Sequence, residues 1–197
     1  MGKVLMGPQT WLYPMPTLLV GANVDGRANF MAVAWGGMAN GDPPMLSLAI
    51  RHSRHTLKGI RQNLTFSVNI PSSDMVRETD YCGLESGARV DKVEVCGFKV
   101  FYGKLESAPL IEQCPLNLEC RLVHILNLGT HALVIGRIEE THVSESCLAD
   151  GKPDVTKMRS FLYATTPAGH YRALGEVIAQ AFSVGKGLKR GKQSSPE

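Results

Sequence analysis

Residues 29–56 read NFMAVAWGGMANGDPPMLSLAIRHSRHT. Asn29 to Trp35 is apolar and rich in small residues, which predicts a strand. Asn40-Gly41-Asp42-Pro43-Pro44 predicts a turn. Met45 to Ile50 predicts a second strand, and Arg51-His52-Ser53-Arg54-His55-Thr56 leads into a predicted helix. Cationic and hydroxyl side chains at a helix start suit an anion, because the helix dipole is positive there and the first amides point outward. An apolar bed beside an anion pocket is what a nucleotide-like ligand needs. The plainer alternative is a core strand followed by a solvated strand end and a helix cap.

Upstream, Thr17 to Val24 reads as a short apolar strand, and Asp25-Gly26 is a tight hairpin turn that returns the chain along Asn29 to Trp35. Downstream, Ser53 is the expected cap of a short helix whose apolar face includes Leu57 and Ile60. Leu64 to Ile70 alternates, with Leu64, Phe66, Val68 and Ile70 on one face and Thr65, Ser67 and Asn69 on the other. Pro71 ends that strand by removing a donor. Ser72 or Ser73 is expected to cap a helix through Met75, Val76 and Thr79. Gly83 to Gly87 reads as a loop, Val90 to Val95 as a helical turn and Phe98 to Tyr102 as a strand.

The longest predicted strand is Leu116 to Leu128. Its even positions are apolar and include Cys120 and His124, which predicts a core histidine. Its odd positions include Asn117, Glu119, Arg121 and Asn127. Gly129-Thr130 turns it into a second long strand, His131 to Val143. Leu174, Val177, Ile178 and Ala181 have helical spacing, and the polar stretch 187–197 is expected to be disordered, leaving a domain over 1–186. Antiparallel strands joined by hairpins, with few and short helices, predict a mainly β chain closing into a barrel. Regular βαβ units are missing, and so are the glycine fingerprints of dinucleotide and P-loop sites.

The 197 residues carry a formal net charge of +3, much of it in the tail, so nucleic acid is not an expected partner. An apolar fraction of 44% is enough for a real core. No apolar run reaches a membrane span, and the prolines of Met1 to Pro16 interrupt any signal-peptide core. Cysteines 82, 96, 114, 120 and 147 include no C-x-x-C pair, so neither a metal site nor a disulfide scaffold is expected, and a cytoplasmic setting is the simplest reading.

MAVAW, the double-proline turn, a strand ending in Arg51, Asn69-Ile70-Pro71, Asp80-Tyr81-Cys82-Gly83, Ser86-Gly87 with Asp91-Lys92, Gly129-Thr130-His131 and the closing Gly175-Glu176 to Gly185-Lys186 follow one another in order. Together they resemble the flavoredoxin branch of the flavin reductase-like family, over about Pro14 to Lys186. The resemblance implies an antiparallel Greek-key split β-barrel with peripheral helices, binding FMN at the interface of a homodimer. It implies that Asn29 and Met31, Ala32, Val33, Ala34 and Trp35 lie along the flavin, with Ser47 and Leu48 beside them. Arg51, Ser53, His55 and Thr56 are the implied phosphate ligands, Arg51 and Thr56 foremost. Asn69, Ile70 and Pro71, the loop residues Tyr81, Cys82, Gly83 and Ser86, and Lys92 are the remaining implied cofactor contacts.

Each has a bland counterpart: a strand end, a loop, a solvated lysine, an inert thiol. His131 matches a family histidine beside the nicotinamide, with Thr130 where relatives carry Asp. Two functions follow from the resemblance, an NADH- or NADPH-linked flavin oxidoreductase and an electron carrier passing electrons to a redox protein partner. A pyridoxamine-phosphate-oxidase-like barrel is disfavoured, because the Arg and Lys signature for a second phosphate is missing.

Overall fold

The structure, a computed structural model, describes residues 2–188. The elements in chain order are β1 (Met15–Pro16), β2 (Leu18–Val24), β3 (Arg27–Val33), β4 (Gly36–Gly41), β5 (Pro44–Arg51), α1 (His55–Asn63), β6 (Thr65–Ile70), α2 (Val76–Leu84), α3 (Lys92–Cys96), β7 (Val100–Phe101), β8 (Leu110–Ile111), β9 (Leu116–Leu128), β10 (His131–Val143), β11 (Leu148–Ala149), β12 (Lys152–Pro153), α4 (Val155–Met158), β13 (Phe161–Ala164) and β14 (His170–Ala173).

Seven strands form one antiparallel sheet in the order β3-β2-β6-β9-β10-β5-β4. Its edge strands β3 and β4 are consecutive in the chain and joined only by Ala34 and Trp35. A sheet whose edges are tied by so short a link has to curl until they meet. The link itself pairs with β5: the Ala49 amide donates to the Trp35 carbonyl at 2.8 Å. β3 and β4 are not laddered together, so the barrel is split along that line. β4 was not anticipated from the sequence. Its glycines and its polar, exposed surface hide a strand, and the turn shrinks from the expected Asn40–Pro44 to Asp42-Pro43.

Alternation fills the barrel. Val20, Met31, Val33, Leu48, Ile50, Phe66, Val68 and Val134 point inward, with Leu57 and Ile60 of α1 packed among them. Each such side chain contributes about 1.5–3 kcal/mol by leaving water. A second cluster, including Leu19, Phe30, Met75, Cys82, Phe98 and Ile111, lies between the outer face of the sheet and helices α2 and α3.

The polar positions of β6 and of the first half of β9 are buried. Asn69, Asn117 and Glu119 are 0%, 4% and 0% exposed. The segment before β9 covers them: the Ile111 amide and the Asn117 side chain donate to Asn69 Oδ1 at 3.0 and 2.8 Å. Glu119 accepts from the Lys104 amide at 2.9 Å and from the Leu105 amide. The distal half of β9 departs from the expected apolar face. The register shift between Ile135 and Gly136 of β10, which leaves Val123 as the extra residue of β9, turns the face, so His124 is exposed rather than a core residue, as are Leu126 and Leu128.

Several helix details are also corrected. Arg54, not Ser53, occupies the cap of α1, and no side-chain cap forms there. Leu64 is the left-handed C-cap of α1 rather than the first strand residue. Ser72 precedes a short 3-10 turn, Ser73–Met75, again without a side-chain cap. Phe98 to Tyr102 yields only the two-residue β7. The expected terminal helix does not form. Val177 and Ile178 are 88% and 100% exposed, and only a 3-10 turn, Val184–Leu188, follows. Helices this short need a packed face, and this segment is exposed throughout its described residues. The expected disordered tail falls, beyond Leu188, outside the described residues.

Among the described residues no helix is long and apolar enough to cross a membrane. No group of three potential metal-ligating side chains converges among them. All five thiols are free.

Candidate functional site

The face of the barrel at its seam is built from small residues. Because strand side chains alternate, Met31, Val33, Leu48 and Ile50 enter the core, while Ala32, Ser47, Ala49 and Arg51 face outward, with Ala34 following β3. A cavity of about 900 Å³ opens here, floored by Ala34, Trp35, Ser47 and Ala49 and walled by the N-terminal arm at Met6, Trp11 and Leu12. With only methyl side chains, Ala32 and Ala34 leave the backbone of this strip open to close approach. Met31, Val33 and Leu48 are core side chains, so only their main chain can serve a ligand.

One rim of this face carries an aromatic stack. His131 lies opposite Arg51 in the β10–β5 register. Trp35 stacks on its ring, with centroids 4.8 Å apart and planes 23° apart. The Thr130 hydroxyl meets His131 Nδ1 at 2.8 Å. Partial burial, then the neighbouring Arg51 and His52, push the His131 pKa below the ordinary imidazole value, so the ring is neutral at pH 7.

The start of α1 is cationic. Arg51, His52 and Ser53 are exposed and Arg54 and His55 half-buried. A cavity of about 540 Å³ is lined by His52 to His55 with Lys58 and Arg61. Thr56 is placed differently from its expected role: it is 1% exposed, and its hydroxyl accepts from Asn29 Nδ2 at 2.7 Å. Arg54, which sequence reasoning passed over, takes the more central position. It donates to the Gly83 carbonyl at 3.2 Å and lines both this cavity and a smaller one of about 340 Å³ against Ala32, Val33 and Ala34. The basic run RHSRHT was its signal, but spacing alone does not say which member turns inward.

The loop residues divide. Gly83 lies against the strip, since a Cβ built on it would sit 3.5 Å from Ala32 Cβ. Gly87 approaches so closely that its Cβ would fall 1.7 Å from Asn29 Oδ1, so a side chain here would have to displace Asn29. Tyr81 is half-buried, and Ser86 accepts from the Ala88 amide at 3.3 Å. Cys82, expected at the ligand, is 0% exposed inside the second core cluster, and burial pushes its thiol up to about 12. Its side chain is inert and out of reach. Lys92 is likewise internal. Its ammonium donates to the carbonyls of Phe30 at 2.8 Å and Cys82 at 3.0 Å, and burial holds its pKa below the usual lysine value. It does border, with Asn29, His55 and Gly87, a further cavity of about 540 Å³.

Asn69, Ile70 and Pro71 are not brought to this face. β6 lies two strands from β3, roughly 10 Å away at ordinary strand spacing. The Asn69 side chain is engaged by Leu19, Ser67, Ile111 and Asn117. Thr17 and Tyr171, which nothing in their local sequence marks, border the small cavity beside Ala32, together with Asp80 of the Asp80–Gly83 motif.

A model described as the flavin reductase like domain matches residues 10–169. Flavoredoxin from Methanosarcina acetivorans is 44% identical, with a TM-score of 0.91 over 95% of this chain and 100% of that one. Flavoredoxin of Desulfovibrio vulgaris (Miyazaki F) is 37% identical, with a TM-score of 0.87 over 94% and 100%. An FMN-binding protein from Thermus thermophilus, solved with p-hydroxybenzaldehyde, is 25% identical, with a TM-score of 0.77 over 91% and 99%. A protein of Archaeoglobus fulgidus, itself uncharacterized, is 34% identical over 146 residues, 74% of this chain and 81% of its own length.

Proposed function

Since this chain belongs to the flavin reductase like domain family, we propose that it is an FMN-binding flavoprotein that moves electrons from NADH or NADPH. The observation that carries the reading is a run of cavities with shared walls. Ala34 belongs to both the 900 Å³ and the 340 Å³ cavity, Arg54 to the latter and the one at α1, and His55 to that one and the cavity beside Lys92. A planar apolar ring on Ala32 and Ala34 would thus have a cationic track for a phosphate tail. Three relatives with this fold are named for flavins, two as flavoredoxin and one as FMN-binding.

Each part of the chain has a role in this reading. The α1 amides, Arg54, His52 and His55 hold the phosphate; guanidinium and first-turn amides are matched donors for its oxygens. The bare strip at Ala32 and Ala34 lets the ring lie on main chain. When bound, FMN supplies the redox chemistry, accepting a hydride or passing single electrons. Neutral His131, stacked on Trp35, orients the donor at the open rim and exchanges no proton with it.

The site is completed by a second copy of the chain. Trp35, Leu126 and Leu128 on the barrel and Leu174, Val177, Ile178 and Phe182 in the C-terminal segment are exposed apolar groups that a homodimer would cover. Light scattering is expected to give a dimer at micromolar concentration; a flavin-loaded monomer contradicts that. Anaerobic mixing with each nicotinamide tests the activity. Bleaching of the flavin absorbance supports the reductase. Retained FMN that neither nicotinamide bleaches, together with reduction by a protein donor, replaces it with an electron carrier between protein partners.

A further inference from the structure

Two thiols meet between helices α2 and α3. Cys82 lies on α2, and side chains of a helix lean toward its N-terminus, so this sulfur points back over the turn at Glu78. The Cys96 sulfur, at the end of α3, reaches the same turn and lies 3.9 Å from the Glu78 carbonyl. Each thiol perturbs the ionisation of the other. Cys82 is 0% exposed, whereas Cys96 is half-buried and packs on the cluster that holds Cys82. Cys114, in the same cluster, is engaged by the Met75 sulfur at 3.8 Å. Closed to solvent, Cys82 is inert toward a ligand or a dissolved oxidant, but the Cys96 sulfur is beside it. Neither thiol lines the cavities assigned to the flavin.

We propose that Cys82 and Cys96 form a redox-active pair, which a hydroperoxide converts to a disulfide that ties α2 to α3 across the loop between them. That loop carries Gly83 against Ala32 and Gly87 against Asn29, so the bond would restrain the segment lying on β3. The half-buried Cys96 reacts first. Its sulfur attacks one peroxide oxygen and the O–O bond breaks; the other oxygen leaves with the thiol proton as water, and Cys96 becomes a sulfenic acid. The Cys82 sulfur then attacks the Cys96 sulfur. The S–O bond breaks, and the hydroxyl leaves with the Cys82 proton as a second water. The two thiols have given two electrons to the peroxide, and a small dithiol reverses the change. Burial, with the Glu78 carboxylate adding to it, holds both thiols above their ordinary range, so the pair waits in the reduced state at neutral pH. Glu78 Oε2 is itself buried and without a hydrogen-bond partner among the described residues.

The test treats the full chain with hydrogen peroxide, alkylates the remaining thiols under denaturing conditions and maps tryptic peptides without reduction. Peptides 78–89 and 93–99 are expected to appear joined, two hydrogens lighter than their sum, and to separate on reduction. Cys82→Ser is expected to stop at a Cys96 sulfenic acid that dimedone traps, and Cys96→Ser to leave Cys82 unoxidised. Glu78→Gln is expected to form the link about threefold faster, since more thiolate forms, partly offset by its lower nucleophilicity. Hydrogen exchange of the amides in 83–91 is expected to slow severalfold in the linked protein. Wild-type protein that forms no such link at millimolar peroxide, that links another pair instead, or that carries Cys96 to a sulfinic acid while Cys82 stays reduced, overturns the proposal. A link that leaves the exchange of 83–91 unchanged contradicts the tie across the loop. Should Cys82→Ser fail to fold, the wild-type peptide map and the half-buried Cys96→Ser decide.

Discussion

Trp35 and His131 are stacked, 4.8 Å between ring centroids, and this contact joins the barrel seam to the rim of the β9–β10 hairpin. Trp35 is half of the two-residue link that closes the barrel, and His131 opens β10. The position of the imidazole is therefore tied to the same backbone that forms the strip at Ala34.

His131→Ala is expected to leave FMN binding intact and to slow reduction by NADH or NADPH about five- to thirtyfold. That corresponds to about 1–2 kcal/mol for a lost stack and hydrogen bond. Stopped-flow reduction of flavin-loaded protein measures it. An unchanged rate removes His131 from donor handling.

The His131 ring is expected to titrate below the ordinary value of 6.5, because partial burial and then Arg51 and His52 disfavour its cation. Between the folded and unfolded values the unfolded chain binds more protons, so stability from this group rises with pH. It is fully present above 6.5 and is lost as pH falls through the folded value. NMR titration of the imidazole checks the direction, and Arg51→Gln should move it upward.

Arg54→Ala is expected to weaken FMN binding by one to two decades, as the loss of a charge-assisted contact of about 1.5–3 kcal/mol implies. Arg51→Ala should do less, since Arg51 faces His131 rather than the cavities at α1. Lys92→Met should instead lower the melting temperature, because it leaves the Phe30 and Cys82 carbonyls without their buried donor. Flavin fluorescence titrations and thermal melts separate the two effects. Equal affinities in all three variants would mean that the phosphate lies elsewhere.

The barrel was legible because hairpin turns, strand alternation and the Arg51–Thr56 cluster are local signals. What alternation could not reveal was cover. It put Asn69 with the polar positions of β6 and Asn117 and Glu119 with those of β9, but it gave no sign that the segment before β9 folds back over them. Strand β4 was invisible because GGMANG carries no apolar alternation. The phosphate candidates do lie together at the start of α1, but their side chains are placed differently one from another. Whether Thr56 or Arg54 faces a ligand depends on the turn at which α1 starts, and a one-residue change of cap turns each side chain by about 100°. Thr17, Asp80 and Tyr171 lie far apart in sequence and meet only through tertiary packing.

Glu119 is fully buried, and His142 Nε2 lies 2.7 Å from its Oε1 in addition to the two backbone donors. Glu119→Ala is expected to cost about 3 kcal/mol or more, because three partners lose a buried acceptor. Chemical denaturation measures this, and a change under 1 kcal/mol would show that the covering segment is held by other contacts.

Flavin binding is tested most directly by purifying the protein, denaturing it and identifying what is released. Yellow protein that yields FMN and not FAD, and that rebinds FMN after stripping, is the expected result. Colourless protein that cannot be reconstituted with FMN contradicts it.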